Sequence, residues 1–226
     1  MNWNFIIQTW PLYWQALLLT LNLAFWGISG SILLGLVVSL IRYYKIPILS
    51  PLSQVYIELS RNTPLLIQLF FLYFGLPKLG VVLSAEVCAI AGLTFLGGSY
   101  MAESFRSGLE SVTKNQIQMG LALGLREKDL LRYVILPQAW AVTLPSFTAN
   151  LIFLIKETSV FSTIALADLM YVAKDLIGIY YETDEALLSL VFAYLLILLP
   201  LSLAASWLER RVRYAGYGNT RTLPGK

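Results

Sequence analysis

Long uncharged stretches alternate with short basic ones along this chain of 226 residues. No charged side chain occurs before Arg42, and further charge-free runs extend from Tyr133 to Ile155 and from Ala186 to Leu208. At about 1.5 Å per residue, each run is long enough to cross a ~30 Å hydrocarbon layer as a helix. The pattern predicts five membrane helices. The first runs roughly from Leu12 to Ile41, and the second from Val55 to Leu76 with Glu58 and Arg61 near one end. The third covers Ser84 to Phe105, the fourth Gln138 to Thr158 and the fifth Glu185 to Leu208. Between the last two, Ser159 to Tyr181 is too polar to span and too apolar for a free loop. It is expected to be a short helix packed on the bundle, with Asp168, Lys174 and Asp175 facing water.

A polar segment at about 108–137 interrupts this pattern. Its charge is concentrated in Lys114, Arg126, Glu127, Lys128, Asp129 and Arg132. Reversing the chain between two helices takes only a handful of residues, so a segment of this length should fold for a partner to grip. Small residues at Gly120, Ala122 and Gly124 would let another surface approach its backbone. A short helix is expected around Gln116 to Arg126, with Gly124 as its C-terminal cap. Leu136-Pro137 marks the boundary with the next span.

Composition agrees with the pattern. The chain is 58% hydrophobic and only 13% charged, against roughly 25% in soluble domains. The expected fold is an all-α integral membrane domain over residues 1–218, followed by a tail at 219–226. The N-terminus lacks the basic region of a secretory signal peptide, so the first span is expected to be retained. With the N-terminus outside, 13 of the 16 lysines and arginines fall on the inner side, leaving Lys78, Lys156 and Lys174 outside or at membrane depth. The positive-inside rule therefore selects N-out, C-in. Trp3, Trp10, Tyr13 and Trp14 suit an outer aromatic belt, and Tyr43, Tyr44 and Trp207 an inner one. The net charge of +3 is this topology signal and calls for no nucleic acid partner.

Several chemistries are excluded or unsupported. There is no histidine, so imidazole catalysis and histidine metal ligation are out. The sequence has no phosphate-binding Gly-x-x-x-x-Gly-Lys-Ser/Thr loop, no serine nucleophile elbow and no carboxylate cluster with metal-ligand spacing. An enzyme acting alone is not expected, nor a metal site. Energy must come from an ion gradient or from another subunit. The lone Cys88 reads as a small buried apolar residue. Gly27, Ser31 and Gly35 form a small-residue stripe suited to helix packing, within the chain or between subunits.

Polar side chains inside spans are costly and mark candidate function. Thr143, Ser146, Asn150 and Glu157 share one face of the fourth helix, which should look into the bundle or a water-filled cavity. The third helix offers Ser99, Tyr100 and Glu103, and the second Asn62, Thr63 and Gln68. Adjacent helical residues point about 100° apart, which turns Lys156 toward the interface and Glu157 inward. Arg61 is expected at the inner end, paired with Glu58 three residues earlier. Interhelical hydrogen bonding without transport remains the alternative for the whole polar set.

These residues also resemble a family. Arg61-Asn62-Thr63-Pro64-Leu65-Leu66-Ile67-Gln68-Leu69-Phe70-Phe71, followed by Tyr73-Phe74-Gly75-Leu76-Pro77, resembles the second-helix signature of polar amino acid ABC importer permeases. The family form usually has glycine at the position of Asn62. Tyr100-Met101-Ala102-Glu103-Ser104-Phe105-Arg106-Ser107-Gly108 is similar to the end of the third helix, and Lys156-Glu157-Thr158-Ser159 to the family's Lys-acid-Thr/Ser-Ser segment. Leu123-Gly124-Leu125 with Val134-Ile135-Leu136-Pro137-Gln138-Ala139 resembles the second half of the cytoplasmic EAA loop. Where the family opens that loop with Glu-Ala-Ala, this chain has Gln118-Met119-Gly120. The departure leaves open any contact of the family's glutamate but keeps the helix's docking role. The resemblance extends from about Leu18 to Arg213.

The resemblance implies a five-helix type I ABC importer permease in a bacterial cytoplasmic membrane. It implies pairing with a second permease, identical or closely related, above two ATP-binding subunits that carry ATP and magnesium. A binding protein would deliver an amino acid to the outer face. This chain itself would bind no cofactor. Glu157, Thr158, Asn150, Ser146, Thr63, Gln68, Tyr100 and Glu103 would line the substrate pathway. Gln116, Gln118, Met119, Gly120, Ala122, Leu123, Gly124, Leu125 and Arg126 would couple to the ATP-binding subunit. The competing class is an ion-coupled transporter or channel, for which no internal duplication is evident.

Overall fold

Two facing stripes of small residues set the geometry of the bundle. In the computed structural model, which describes residues 1–212, α1 (Trp3–Tyr43) and α4 (Ala85–Glu110) lie side by side and parallel. A Cβ on Gly27 would come within 2.6 Å of Leu93 Cδ2, and one on Gly35 within 2.9 Å of the Ala102 amide nitrogen. Only glycine allows backbones this close. Ser31 Oγ donates across the seam to the Leu93 carbonyl at 3.1 Å and back to the Gly27 carbonyl at 2.7 Å. The stripe is an internal seam. The 219–226 tail and the basic residues Arg213, Arg221 and Lys226 lie outside the described residues.

The N-terminal helix begins earlier than the hydrophobic run suggested, because its end is tied down. Asn2 Oδ1 accepts from the Phe5 amide at 3.2 Å, capping α1. The Asn2 amide donates to Glu185 Oε1 at 2.7 Å, fastening α1 to the start of α9 (Thr183–Val212). At the opposite end of the bundle, Arg42 and Arg106 both engage Glu103, and Arg106 also engages Glu110 at 2.7 Å.

The second crossing is not one helix. It consists of α2 (Leu49–Arg61) and α3 (Leu65–Phe70), the latter continuing through a π-helical turn at Phe71–Gly75 and a 3₁₀ turn at Leu76–Leu79. Pro64 has no N–H and sits in an extended conformation, with ψ 142°, so the helix stops before it. Among the described residues four helical stretches are long and apolar enough to cross a membrane: Trp3–Tyr43, Ala85–Glu110, Glu127–Ile164 and Thr183–Val212.

The third of these stretches comprises α6 (Glu127–Leu130), a π-helical turn, α7 (Leu136–Glu157) and a 3₁₀ turn at Thr158–Ile164. Helix α7 runs antiparallel to α4, with Thr143 bonded to Ser104 and Leu154 packed against Gly97. Gly97 lies halfway along the 26-residue α4. Helix α7 therefore ends near the middle of the bundle, and Glu157 is not at the outer end as its place in the charge-free run suggested. The remaining depth is covered by α8 (Leu169–Tyr180). Its first amide donates to Thr20 Oγ1 at 3.4 Å, and Tyr180 packs edge-on against Phe5 at 5.5 Å.

The amphipathic stretch is thus a helix packed on the bundle, with Lys174 and Asp175 exposed. Asp168 does not face water. It is 0% exposed and caps α8, its Oδ1 accepting from the Tyr171 amide at 2.8 Å. A helix that starts inside the bundle needs an acceptor for its orphan amides, and a short carboxylate supplies it.

Candidate functional site

The break in the second crossing leaves carbonyls without helical partners, and one side chain closes it. Gln68 Nε2 donates to the Ser60 carbonyl at 3.1 Å and to the Thr63 carbonyl at 3.0 Å. Gln68 Oε1 is buried without a partner among the described residues. Ser60 Oγ adds bonds to the Phe95 carbonyl at 2.9 Å and Ser99 Oγ at 3.0 Å, pinning the end of α2 to the middle of α4. Beside the break, Thr63 and Gln68 line a groove of about 510 Å³, otherwise walled by apolar side chains such as Leu59, Ile67, Phe71 and Phe95.

On the other side of α4 the polar face of α7 is mostly engaged. Asn150 Nδ2 donates to Ser104 Oγ at 2.9 Å and to the Tyr100 carbonyl at 3.3 Å. Ser146 Oγ turns back to the Thr143 carbonyl at 2.9 Å, and Thr158, fully buried, donates to the Ile155 carbonyl at 2.7 Å. The Tyr100 ring packs against Phe153 with centroids 5.1 Å apart. Glu157, one turn beyond Phe153, is half-buried, while its neighbour Lys156 is exposed.

The structure sorts the candidate pathway residues. Asn150 on α7 reaches the Tyr100 carbonyl on α4, Thr63 and Gln68 share the break, and Glu157 ends α7 at mid-depth in the bundle. Glu103 is elsewhere, held between Arg42 and Arg106 in an ion cluster. Arg61 departs from its expected pairing. The Glu58 carboxylate is taken by Gln54 Nε2 at 2.9 Å and Asn62 Nδ2 at 3.2 Å. The Arg61 guanidinium instead lies over the Tyr100 ring, 5.0 Å from its centroid. Three-residue spacing does not foresee this, because Asn62, at the end of α2, competes for the Glu58 carboxylate. Proline three residues after Arg61 was the available signal of that helix end.

The polar loop is a folded unit. Thr113 and Gln116 form a capping box at the start of α5 (Lys114–Ala122), and Gln116 Nε2 reaches Gln138 Oε1 at 3.2 Å. Gly124 ends the helix with φ 81°, and the Leu125 amide bonds back to the Gly120 carbonyl at 3.1 Å. Val112, Leu130 and Ile135 are buried in a small core with Ile117, Leu125 and Val134. Gly120 is occupied from within: a Cβ there would run into Leu130 of the same chain. Outward are Gln116, Gln118, Met119, Ala122, Leu123, Gly124 and Arg126, with Leu123 84% exposed. The loop thus folds on its own core and leaves Met119 and Leu123 exposed.

Comparison with known proteins agrees with this geometry. A crystal structure of an amino acid ABC transporter with histidines superposes with a TM-score of 0.85 at 30% identity, over 93% of this chain and 99% of that one. The inward-facing MetNI methionine ABC transporter shares the fold, with a TM-score of 0.69 at 19% identity. PatM of Vibrio harveyi, described as a probable amino-acid ABC transporter permease, is 35% identical over 95% of this chain and 97% of its own length. The glutamine transport system permease protein GlnP of Escherichia coli strain K12 is 33% identical over 94% and 98%. Residues 31–214 match the model of binding-protein-dependent transport system inner membrane components. With long apolar helices, a broken second crossing and a folded polar loop, the chain belongs to that family and is a multi-pass amino acid ABC transporter permease.

Proposed function

We propose that this chain is the membrane half of an ATP-driven importer that moves a polar amino acid into the cell. The observation that carries this reading is the α5–α6 loop, whose exposed Met119 and Leu123 suit a groove on an ATP-binding subunit. ATP and magnesium belong to that partner. The distribution of basic residues supports a cytoplasmic address for the loop and an external N-terminus. A second permease completes the pathway, and a binding protein loads it from outside. Closure of the ATP-binding subunits would pull on α5 and bias the bundle between two states. Polar cargo is supported by Glu157, a half-buried carboxylate at mid-depth suited to an ammonium, guanidinium or amide. It also agrees with the glutamine and histidine named for the relatives.

The test is reconstitution. The permease, its genomically neighbouring ATP-binding subunit and its binding protein are placed in proteoliposomes with a panel of radiolabelled polar amino acids. Uptake that requires both partners and hydrolysable ATP supports the proposal. Uptake by the permease alone, driven by a proton or sodium gradient, would replace it with an ion-coupled transporter.

A further inference from the structure

Arg61 is a charged side chain about one helical turn further into the bundle than the Glu103 ion cluster. It is level with Tyr100, ten residues before the end of α4, which is about 15 Å of helix. Arginine stems that snorkel to lipid headgroups sit near helix ends. This one sits at an interruption inside a crossing, directly before the Asn62-Thr63-Pro64 break. Among the described residues it makes no ion pair, because Glu58, the acid nearest in sequence, is bonded to Gln54 and Asn62. Its guanidinium is exposed and lies over an aromatic face. A guanidinium held over a ring by a cation–π contact keeps N–H donors for an anion.

The same tyrosine leads to Glu157. Phe153 packs on Tyr100 at 5.1 Å, and Glu157 follows Phe153 by four residues on the same face of α7. An aromatic pair therefore separates a free cation from a half-buried carboxylate. That is the charge pattern of an extended polar amino acid, with its carboxylate at one end and a nitrogen-bearing side chain at the other. Building on the reading of Glu157 as part of an amino acid pathway, we propose that Arg61 binds the α-carboxylate of the transported amino acid, with Tyr100 holding the guanidinium in place. Cargo without a free α-carboxylate is rejected because it would cover the arginine and leave it unpaired.

The experiment measures binding to the detergent-solubilised complex of permease and ATP-binding subunits. Radiolabelled glutamine, histidine, arginine and cystine are tried, and whichever binds is competed against its own α-amide. The wild-type complex should prefer the free carboxylate by roughly ten- to a hundredfold, the worth of one charge-assisted pair. Arg61→Gln should bring that ratio close to one with complex yield unchanged. Arg61→Lys, which keeps the charge but loses the flat fork, should give an intermediate ratio. An unchanged ratio in Arg61→Gln overturns the assignment, and if that variant does not assemble, an unchanged ratio in Arg61→Lys does so. Absence of binding of all four amino acids to the wild-type complex would instead sink the underlying pathway reading, and this assignment with it.

Discussion

Glu103 and Glu157 are both carboxylates inside a membrane bundle, and their neighbours set them apart. Glu103 sits between two guanidinium groups, so its charge is matched within the chain. Its removal leaves Arg42 and Arg106 facing each other across the end of the α1–α4 seam. Glu103→Ala should therefore cost about 2 kcal/mol, read as a lower melting temperature of the purified chain in detergent. Glu157 has no matching cation among the described residues, and Lys156 beside it is exposed. An unmatched carboxylate at this depth suits a cationic partner. Glu157→Gln keeps its shape and should lower the apparent affinity for cargo roughly ten- to a hundredfold while complex yield stays normal. A drop in yield with unchanged affinity would identify Glu157 as a structural contact to the paired subunit.

At the scale of elements, the four long apolar helices were legible because nothing charged interrupts them for most of their length. The second crossing reads as continuous because apolar residues resume directly after Pro64 and fill α3, masking a break written in Asn62-Thr63-Pro64. The pairing of Arg61 with Glu58 rests on their three-residue spacing within α2, and Gln54 and Asn62 take that carboxylate instead. Asp168 was placed in water because a lone acid in an amphipathic stretch usually is. Its burial depends on α8 starting deep inside the bundle, which depends on where α7 stops, a fact of packing against α4. The loop was read more fully, since a capping pattern and a terminal glycine are local signals. That local chemistry gives a local test. Gly124→Val forces a β-branched residue to φ 81°, at a cost of about 1–2 kcal/mol. The α5–α6 unit should fray, and the ATP-binding subunit should be lost on gel filtration while the bundle keeps its melting temperature.

For the whole molecule, packing centres on α4, whose interface with α1 is the most extensive and whose interface with α7 comes next. α2 joins α1 and α4 through the Ser60–Ser99 bond and the Tyr56 hydroxyl, 2.7 Å from the Phe95 carbonyl. α7 meets this body along α4 and then hands over to a 3₁₀ turn and α8. We predict that α1, α2 and α4 move as one piece during transport. With Cys88→Ala as background, Ser60→Cys and Ser99→Cys place two thiols where oxygens now lie 3.0 Å apart. Oxidation should leave ATP-driven uptake unchanged. Uptake that stops on oxidation and returns on reduction would mean that the break itself opens in the cycle.

The break in the second crossing also bears on how the chain enters the membrane. Residues 49–79 leave the ribosome before α4 exists. In lipid, backbone groups at an interruption have no water to turn to, and each unmet one costs several kcal/mol. Gln68 covers two carbonyls from within, but the Ser60 hydroxyl finds its partners only on α4. Stable insertion of α2–α3 alone is therefore disfavoured, and the two crossings should enter as a hairpin. A glycosylation acceptor placed in the turn at residues 80–84 reads this out. It should be modified poorly in a nascent chain stalled once α3 has cleared the translocon, and efficiently once α4 has followed. Biogenesis would then wait on a partner that is one helix further along the message.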